Sequence, residues 1–187
     1  MAVFPADTVY GLACSPDSPK AIERMYELKG RPPEQPSALM FFSLASAFDA
    51  LPQLGGRTQA AMRRLLPGPV TVVLPNLAGA FALATREGTL GARVPRLEGA
   101  LAALSAVRAT ALQTSANLSG GKDARRLADV PESIRRQADL VLDGGELSGK
   151  PSTVIELTDY EQTGSWRILR EAALSRQRLS ELLASEP

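Results

Sequence analysis

Pro5-Ala6-Asp7-Thr8-Val9-Tyr10-Gly11-Leu12 follows the apolar run Ala2-Val3-Phe4, and Lys29-Gly30-Arg31-Pro32 comes soon after. The apolar run predicts a short strand, and the proline, aspartate and glycine behind it predict a sharp turn at its end. The second stretch closes a helix. Ser18-Pro19 reads as an N-cap followed by proline at the first helical position. Ile22, Met25, Tyr26 and Lys29 recur at helical spacing, and Gly30 and Pro32-Pro33 are stop signals. Strand, turn and helix together gather small hydroxyls, one carboxylate, one ammonium and one guanidinium. That mixture suits a zwitterionic small molecule and a polyphosphate. Thr114-Ser115-Ala116-Asn117 and Pro151-Ser152-Thr153-Val154 add hydroxyls at the ends of further strands.

Outward from these stretches, strands and helices alternate loosely. Strands are predicted at 38–42, 70–74, 89–94, 109–113, 140–142, 153–157 and 166–169. Helices are predicted at 44–51, 58–66, 97–107, 131–138 and, capped by Ser175, from 175 to about 184. Residues 117–129 and 158–165 read as loops, and Ser185 to Pro187 as a fraying end. The last two strands form an antiparallel pair. The class is α/β with a mixed sheet, in one domain spanning residues 1–187.

Bulk composition narrows the chemistry. Net charge is +1, so no global basic field attracts nucleic acid. Cys14 is the single cysteine, which leaves no internal disulfide and suggests a reducing compartment. No apolar run reaches membrane-spanning length and no basic-then-apolar leader opens the chain, so the expectation is a cytoplasmic protein. The chain has no histidine. This excludes a Ser-His-Asp triad, a Cys-His pair and His-ligated zinc. An enzyme with this composition works through carboxylates, Lys, Arg, hydroxyls and a hard cation held partly by substrate phosphates.

One apparent motif is rejected. Gly144 to Lys150 fits G-x-x-x-x-G-K, the opening of a phosphate-binding P-loop. Pro151 then stands where Ser or Thr should bind magnesium, and the following segment reads as a strand where a helix is needed. The stretch is a glycine-rich turn.

Each remaining candidate has a structural alternative. Lys29 and Arg31 suit a helix C-terminus simply as cations. Ser115 and Asn117 are frequent turn formers, as are Asp7 and Thr8. Arg93 lies in an apolar run and needs an anionic partner, either an internal carboxylate or a ligand carboxylate. Cys14 and Trp166 read as core.

Taken in order, the motifs resemble those of the YrdC/TsaC family. Pro5 to Leu12 is similar to its P-T-[DE]-T-x-Y-G-L signature, and Lys29-Gly30-Arg31-Pro32 to its K-x-R-P. Pro67-Gly68-Pro69-Val70-Thr71 matches P-G-P-x-T, and Arg93-Val94-Pro95 matches R-x-P. Ser115-Ala116-Asn117 matches S-x-N, and Pro151-Ser152-Thr153-Val154 matches P-S-T-V. Order and approximate spacing agree from residue 3 to about 175.

The resemblance implies a YrdC-like twisted mixed, largely parallel sheet with surrounding helices and an open basic cavity. It implies an L-threonylcarbamoyladenylate synthase, a nucleotidyltransferase. The substrates are L-threonine, bicarbonate or CO2, and ATP, with Mg2+ held mainly by phosphates and no protein metal ligand assigned. The product threonylcarbamoyl-AMP feeds separate transferase proteins that modify adenosine in tRNA, so the expected contact with RNA is weak. By the same resemblance, Lys29 and Arg31 are catalytic and face the ATP phosphates. Ser115, Asn117 and Arg170 complete the ATP site, and Thr8, Arg93 and Ser152 the threonine site.

The departures are specific. Ala6 replaces the usual threonine, Gln35 a commonly basic or polar residue, and Ser37 the usual leucine. Arg170-Glu171-Ala172 departs from R-x-G. Family members usually carry about one helix more before the first motif. This chain reads as starting late or as a short form. Alternative readings are a non-catalytic YrdC-like paralogue binding RNA or nucleotide, and a carbamoyl-transfer module of the kind found in hydrogenase-maturation proteins.

Overall fold

Local signals place the first helix well. In the computed structural model, which describes residues 1–32, 35 and 37–184, helix α1 spans Pro19–Lys29. The Ser18 hydroxyl accepts from the Ala21 N–H at 3.3 Å, and Pro19 opens the first turn. Gly30 ends the helix at φ 60°, a conformation that costs glycine little. Its N–H donates to Glu27 O and the Arg31 N–H to Tyr26 O, the paired bonds of a Schellman ending. The turn detaches Arg31 from the helix while Lys29 stays on the buried face with Ile22, Met25 and Tyr26. Pro33 and Pro36 lie outside the described residues, as do the last three residues expected to fray.

The other elements follow in order. Strands β1 to β9 are Ala2–Pro5, Tyr10–Cys14, Ala38–Met40, Val70–Pro75, Thr89–Arg93, Ala111–Ser115, Leu140–Val141, Thr153–Glu156 and Arg167–Arg170. Helices α2 to α6 are Leu44–Ala50, Gly56–Leu65, Glu132–Gln137, Tyr160–Thr163 and Arg176–Ala184. They build one mixed sheet in the order β7-β1-β2-β6-β3-β5-β4-β8-β9. The parallel pairs β1–β7, β3–β5 and β4–β8 are joined by the antiparallel pairs β1–β2, β2–β6, β3–β6, β4–β5 and β8–β9. The expected late pair is the antiparallel β8–β9.

Period-two alternation divides the sheet into two faces. Tyr10, Leu12, Val70, Val72, Leu74, Leu90, Ala92 and Ile155 enter the main core. Met25, Ala61, Met62, Leu65, Ile134 and Leu179 reach that core from the helices. Each large side chain fully buried there contributes roughly 1.5–3 kcal/mol. The opposite face carries a small cluster, Phe4, Ala6, Ala13 and Met40, and a mixture of polar and small apolar side chains beside it. That thinly covered face is where a cavity forms.

Three expectations need correction. The first motif does not merely end a strand. Its second half is β2, fully buried and antiparallel to β1, so the motif is a hairpin whose tip is Asp7-Thr8-Val9. The Ala/Leu stretch is a 3-10 helix, Gly99–Ala106, and not an α-helix. Leu101, Leu104 and Val107 are its half-buried positions, a spacing of three that stacks side chains in a 3-10 turn. β6 consequently starts two residues later than expected and runs to Ser115. The polar segment at 158–165 contains the short helix α5, whose Glu161 accepts from the Thr58 N–H at 2.8 Å near the start of α3. The rejected P-loop stays rejected: Gly144 to Lys150 is irregular and leads into strand β8, with no helix behind it.

Candidate active site

The cavity follows from the alternation just described. Thr71 and Val73 of β4, Thr89, Gly91 and Arg93 of β5, and Ser152 and Val154 around β8 face away from the core. Gln113, Thr114 and Ser115 of β6 close a second side, and Arg31, Arg86, Asp123 and Arg170 stand around the rim. The space is about 230 Å³ and open to solvent. Gly91 lies in its floor. A side chain there would come within 3.4 Å of Ala38 and 3.6 Å of Thr71, so glycine keeps the floor low. Among the described residues, four guanidiniums against the carboxylate of Asp123 give the wall a cationic character.

Arg93 is 4 % exposed. Its Nη2 donates to Asp7 Oδ1 at 2.6 Å and Thr8 Oγ1 at 3.3 Å, and its Nη1 to Gln113 Oε1 at 3.4 Å. The second Asp7 oxygen accepts from the Arg96 N–H at 3.1 Å. The hairpin tip thus delivers an internal carboxylate to Arg93, the first of the two partners considered above. Nε of Arg93 is buried and has no hydrogen-bond partner. Burial pulls this guanidinium below its ordinary range, and Asp7 pushes it back up. Gly11, beside this group, has no room for a side chain: a Cβ would sit 2.5 Å from the Gln113 amide.

Across the cavity, Arg170 donates from Nε and Nη2 to Ser152 O at 3.2 and 2.7 Å, and from Nη2 to Ser152 Oγ at 3.3 Å. Ser152 Oγ also meets Thr71 Oγ1 at 2.9 Å. Arg31 Nη1 donates to Thr114 Oγ1 at 3.0 Å and Nε to Gln35 O at 3.3 Å. Burial lowers the Arg31 pKa, and the nearby Arg170 charge lowers it further. Arg170 acts on Arg93 in the same sense. The Arg170 charge therefore opposes both Arg31 and Arg93, and an anion among them relieves that repulsion.

Lys29 is 2 % exposed and lies behind the wall, not in it. Its Nζ donates to Ser115 O, to Asn117 O, and to Asn117 Oδ1 at 3.1 Å. Asn117 Oδ1 also accepts from Ser115 Oγ at 2.6 Å, and Asn117 Nδ2 donates to Gly121 O at 2.6 Å. Burial and the neighbouring Arg31 pull the Lys29 ammonium down to about 8, with Asp123 partly opposing.

A family model for the Sua5/YciO/YrdC domain, described as "Telomere recombination", matches residues 1–172. The chain belongs to the Sua5/YciO/YrdC family. It is 30% identical over 162 residues to a threonylcarbamoyl-AMP synthase of Pyrococcus abyssi, covering 86% of this chain and 48% of that relative. The P. abyssi Sua5 structure complexed with L-threonine superposes with a TM-score of 0.82 at 28% identity, covering 98% of this chain and 53% of that one. The Escherichia coli K12 protein YciO, named as uncharacterized, is 30% identical over 84% of this chain and 77% of its own length. The chain spans about half the length of the synthase relatives it matches from P. abyssi and Bacillus subtilis.

Against the Sua5/YciO/YrdC motifs, the structure brings the expected residues to one region in two layers. Arg31, Arg93, Ser115, Ser152 and Arg170 line the cavity. Lys29, Thr8 and Asn117 stand behind that lining and reach it through bonds to Ser115 and Arg93. The sequence reading missed Arg86, Gln113, Thr71 and Asp123 as cavity residues. Arg86 had a local signal: it flanks a two-residue hairpin turn, Glu87-Gly88, with φ of 48° and 73°, paired to Thr89 by reciprocal 2.8 Å bonds. The others sit on strands or loops that meet only in the fold. Ala6, where the family usually has threonine, is 2 % exposed and packs in the small cluster on the face opposite the main core.

Proposed function

We propose that this chain is a synthase that makes threonylcarbamoyl-AMP from L-threonine, bicarbonate or CO2, and ATP, for threonylcarbamoyl modification of adenosine in tRNA. The observation that carries this reading is the convergence of Arg31, Arg93 and Arg170 on one hydroxyl-lined cavity, in a family with members named for that activity. The threonine amine adds to CO2 and loses a proton, giving a carbamate. A carbamate oxygen attacks the α-phosphorus of ATP, the bond from that phosphorus to the bridging oxygen breaks, and pyrophosphate leaves with the electron pair. Such chemistry needs positioning and stabilisation of negative charge more than a proton-transfer catalyst.

The residues divide the task. Arg31 and Arg170 take the phosphates, where charge-assisted hydrogen bonds are strong. Ser115 presents its hydroxyl at the nucleotide, with Asn117 and Lys29 holding it from behind. Arg93, whose Nε has no internal partner, takes the threonine carboxylate, while Asp7 and Thr8 fix its Nη2 and Gln113 its Nη1. Ser152, tied to Thr71 and Arg170, contacts the same amino acid. Among the described residues, no group of three or more Asp, Glu, His or Cys is placed to hold a metal. Among the described residues, Asp123 is the one carboxylate in the cavity wall. The residues do not form a protein-held magnesium site, and the ion enters this reading only with the phosphate oxygens.

The test is threonine-dependent release of pyrophosphate from ATP in bicarbonate buffer. Release that depends on both threonine and bicarbonate supports the synthase. Release without threonine overturns it. A second reading, a paralogue that binds nucleotide or RNA without turnover, draws on Ala6 in the first motif. ATP binding by a folded protein with no pyrophosphate release favours it.

A further inference from the structure

Lys29 occupies an apolar-face position of α1, one turn beyond Met25 and two beyond Ile22, yet it carries an ammonium. An ammonium has three N–H groups and no acceptor. Three oxygens receive them: Ser115 O, Asn117 O and Asn117 Oδ1. The main chain of the same residue joins in, since Lys29 O accepts from the Ser119 N–H at 2.8 Å. One residue thus ties the end of β6 to the loop after it from both side chain and backbone. All three donors are spent inside the protein, and Nζ stands behind the cavity wall.

We infer that Lys29 is a positioning residue that sets the Ser115–Asn117 strand end in the shape that receives a nucleotide, acting through that segment and not by touching a phosphate. The reasoning is one of valence. A phosphate contact would have to break one of three bonds to buried oxygens, and a buried oxygen left without a donor is costly. The charge still matters. Asn117 Oδ1 is shared by Lys29 and the Ser115 hydroxyl, so the ammonium fixes which way the Asn117 amide points. That in turn aims the Ser115 hydroxyl proton at Asn117 and fixes the orientation of a side chain that lines the cavity. This inference rests on the nucleotide reading above for its consequence, though not for its geometry.

Two kinds of variant separate positioning from direct contact. An arginine at 29 would keep a cation and is an excellent phosphate ligand, but its planar fork cannot converge three donors on three clustered oxygens. Lys29→Arg is therefore expected to weaken ATP binding about as much as Lys29→Gln, tenfold or more by titration calorimetry. In a double-mutant cycle, Lys29→Gln and Asn117→Ala are expected to be strongly non-additive, with the double variant no weaker than the worse single. The ligand-free protein provides an independent reading. Amide exchange at Ala116, Asn117 and Ser119 should accelerate at least tenfold in Lys29→Gln, while β4 and β5 keep their protection. Rescue of ATP binding by arginine, multiplicative losses in the cycle, or unchanged exchange at 116–119 would each overturn the inference. If wild-type protein binds no ATP, the nucleotide reading fails, and the exchange experiment still decides the role of Lys29. Should Lys29→Gln not fold, Lys29→Met, which fills the same channel, replaces it in every arm.

Discussion

Two cations are buried within the same site, and they are satisfied differently. Arg93 meets a carboxylate, Asp7, and keeps one buried nitrogen, Nε, without a partner. Among the described residues, Lys29 meets no carboxylate at bonding distance, only neutral oxygens, and its three donors have three acceptors. The planar five-donor fork can be held by one group and still offer another edge. The compact ammonium cannot. The difference teaches which of two cations in a site is available to a ligand: the one whose donors outnumber its internal partners.

The sharpest way to break this contrast is to remove the carboxylate. Asp7→Ala strands the Arg93 charge in a site where it is 4 % exposed. Removing one partner of a buried ion pair typically costs about 3–5 kcal/mol, and that loss is expected in urea denaturation at pH 7. A loss below about 1 kcal/mol would mean that solvent in the cavity already stabilises Arg93, and that the pair is not structural.

Lys29→Met should cost less, about 1–2 kcal/mol in the same assay. It strands acceptors, but it also removes a buried charge, and these effects oppose each other. Asn117 Oδ1 keeps its bond from Ser115, which limits the damage further. If Lys29→Met proves more destabilising than Asp7→Ala, the ammonium and not the ion pair is the main tie, and the contrast inverts.

How far the sequence led can be judged on these same residues. Helix α1 was legible because its signals are local: Ser18-Pro19 at the start, an apolar face every third or fourth residue, Gly30 at the end. The cavity strands β4 and β5 were legible from their apolar runs. The Asp7–Arg93 bond was not, because it joins residues 86 apart in the chain. Composition required Arg93 to have an anionic partner, but only the β1–β2 hairpin, itself only half recognised, brings that partner into reach. Lys29 appeared as a helix-end cation or a phosphate ligand. Its inward role depends on β6 running to Ser115, two residues beyond the predicted end. Motif order found the right residues. Their division into lining and support came from packing.

The pH dependence tests the charged state of Lys29 directly. Its folded pKa is lowered to about 8 from 10.5, so above pH 8 the unfolded chain binds more protons here than the folded one. Stability then rises with pH, by at most about 1.4 kcal/mol per unit from this group. Cys14 has the opposite sign. Burial pushes its thiol up to about 11 from 9.0, so its contribution is lost as pH climbs from 9 toward 11. The expected profile rises between pH 8 and 9 and flattens above. Lys29→Met should abolish the rise, and Cys14→Ala should extend it. A wild-type profile flat from pH 7 to 9 would mean that the three oxygens hold the ammonium charged, against the effect of its burial.

The smallest expected effect concerns a neutral counterpart of the Arg93 nitrogen. Ser37 Oγ lines the cavity, is buried, and has no hydrogen-bond partner. By the motif resemblance, leucine is the residue expected there. A buried hydroxyl left unsatisfied costs up to about 1–3 kcal/mol, and small shifts of the wall beside the open cavity reduce that. Ser37→Ala removes the hydroxyl and leaves the backbone untouched, so the ligand-free protein should gain a few tenths of a kcal/mol, up to about 1, seen as a small rise in thermal midpoint. ATP binding should weaken only if this hydroxyl meets the nucleotide. A fall in midpoint would instead place a donor or acceptor on Ser37 in the free protein, and would leave Arg93 Nε as the one orphan polar side-chain atom among the described residues of the cavity wall. Measured with and without ATP, the variant separates a hydroxyl reserved for the ligand from one that merely replaces a leucine.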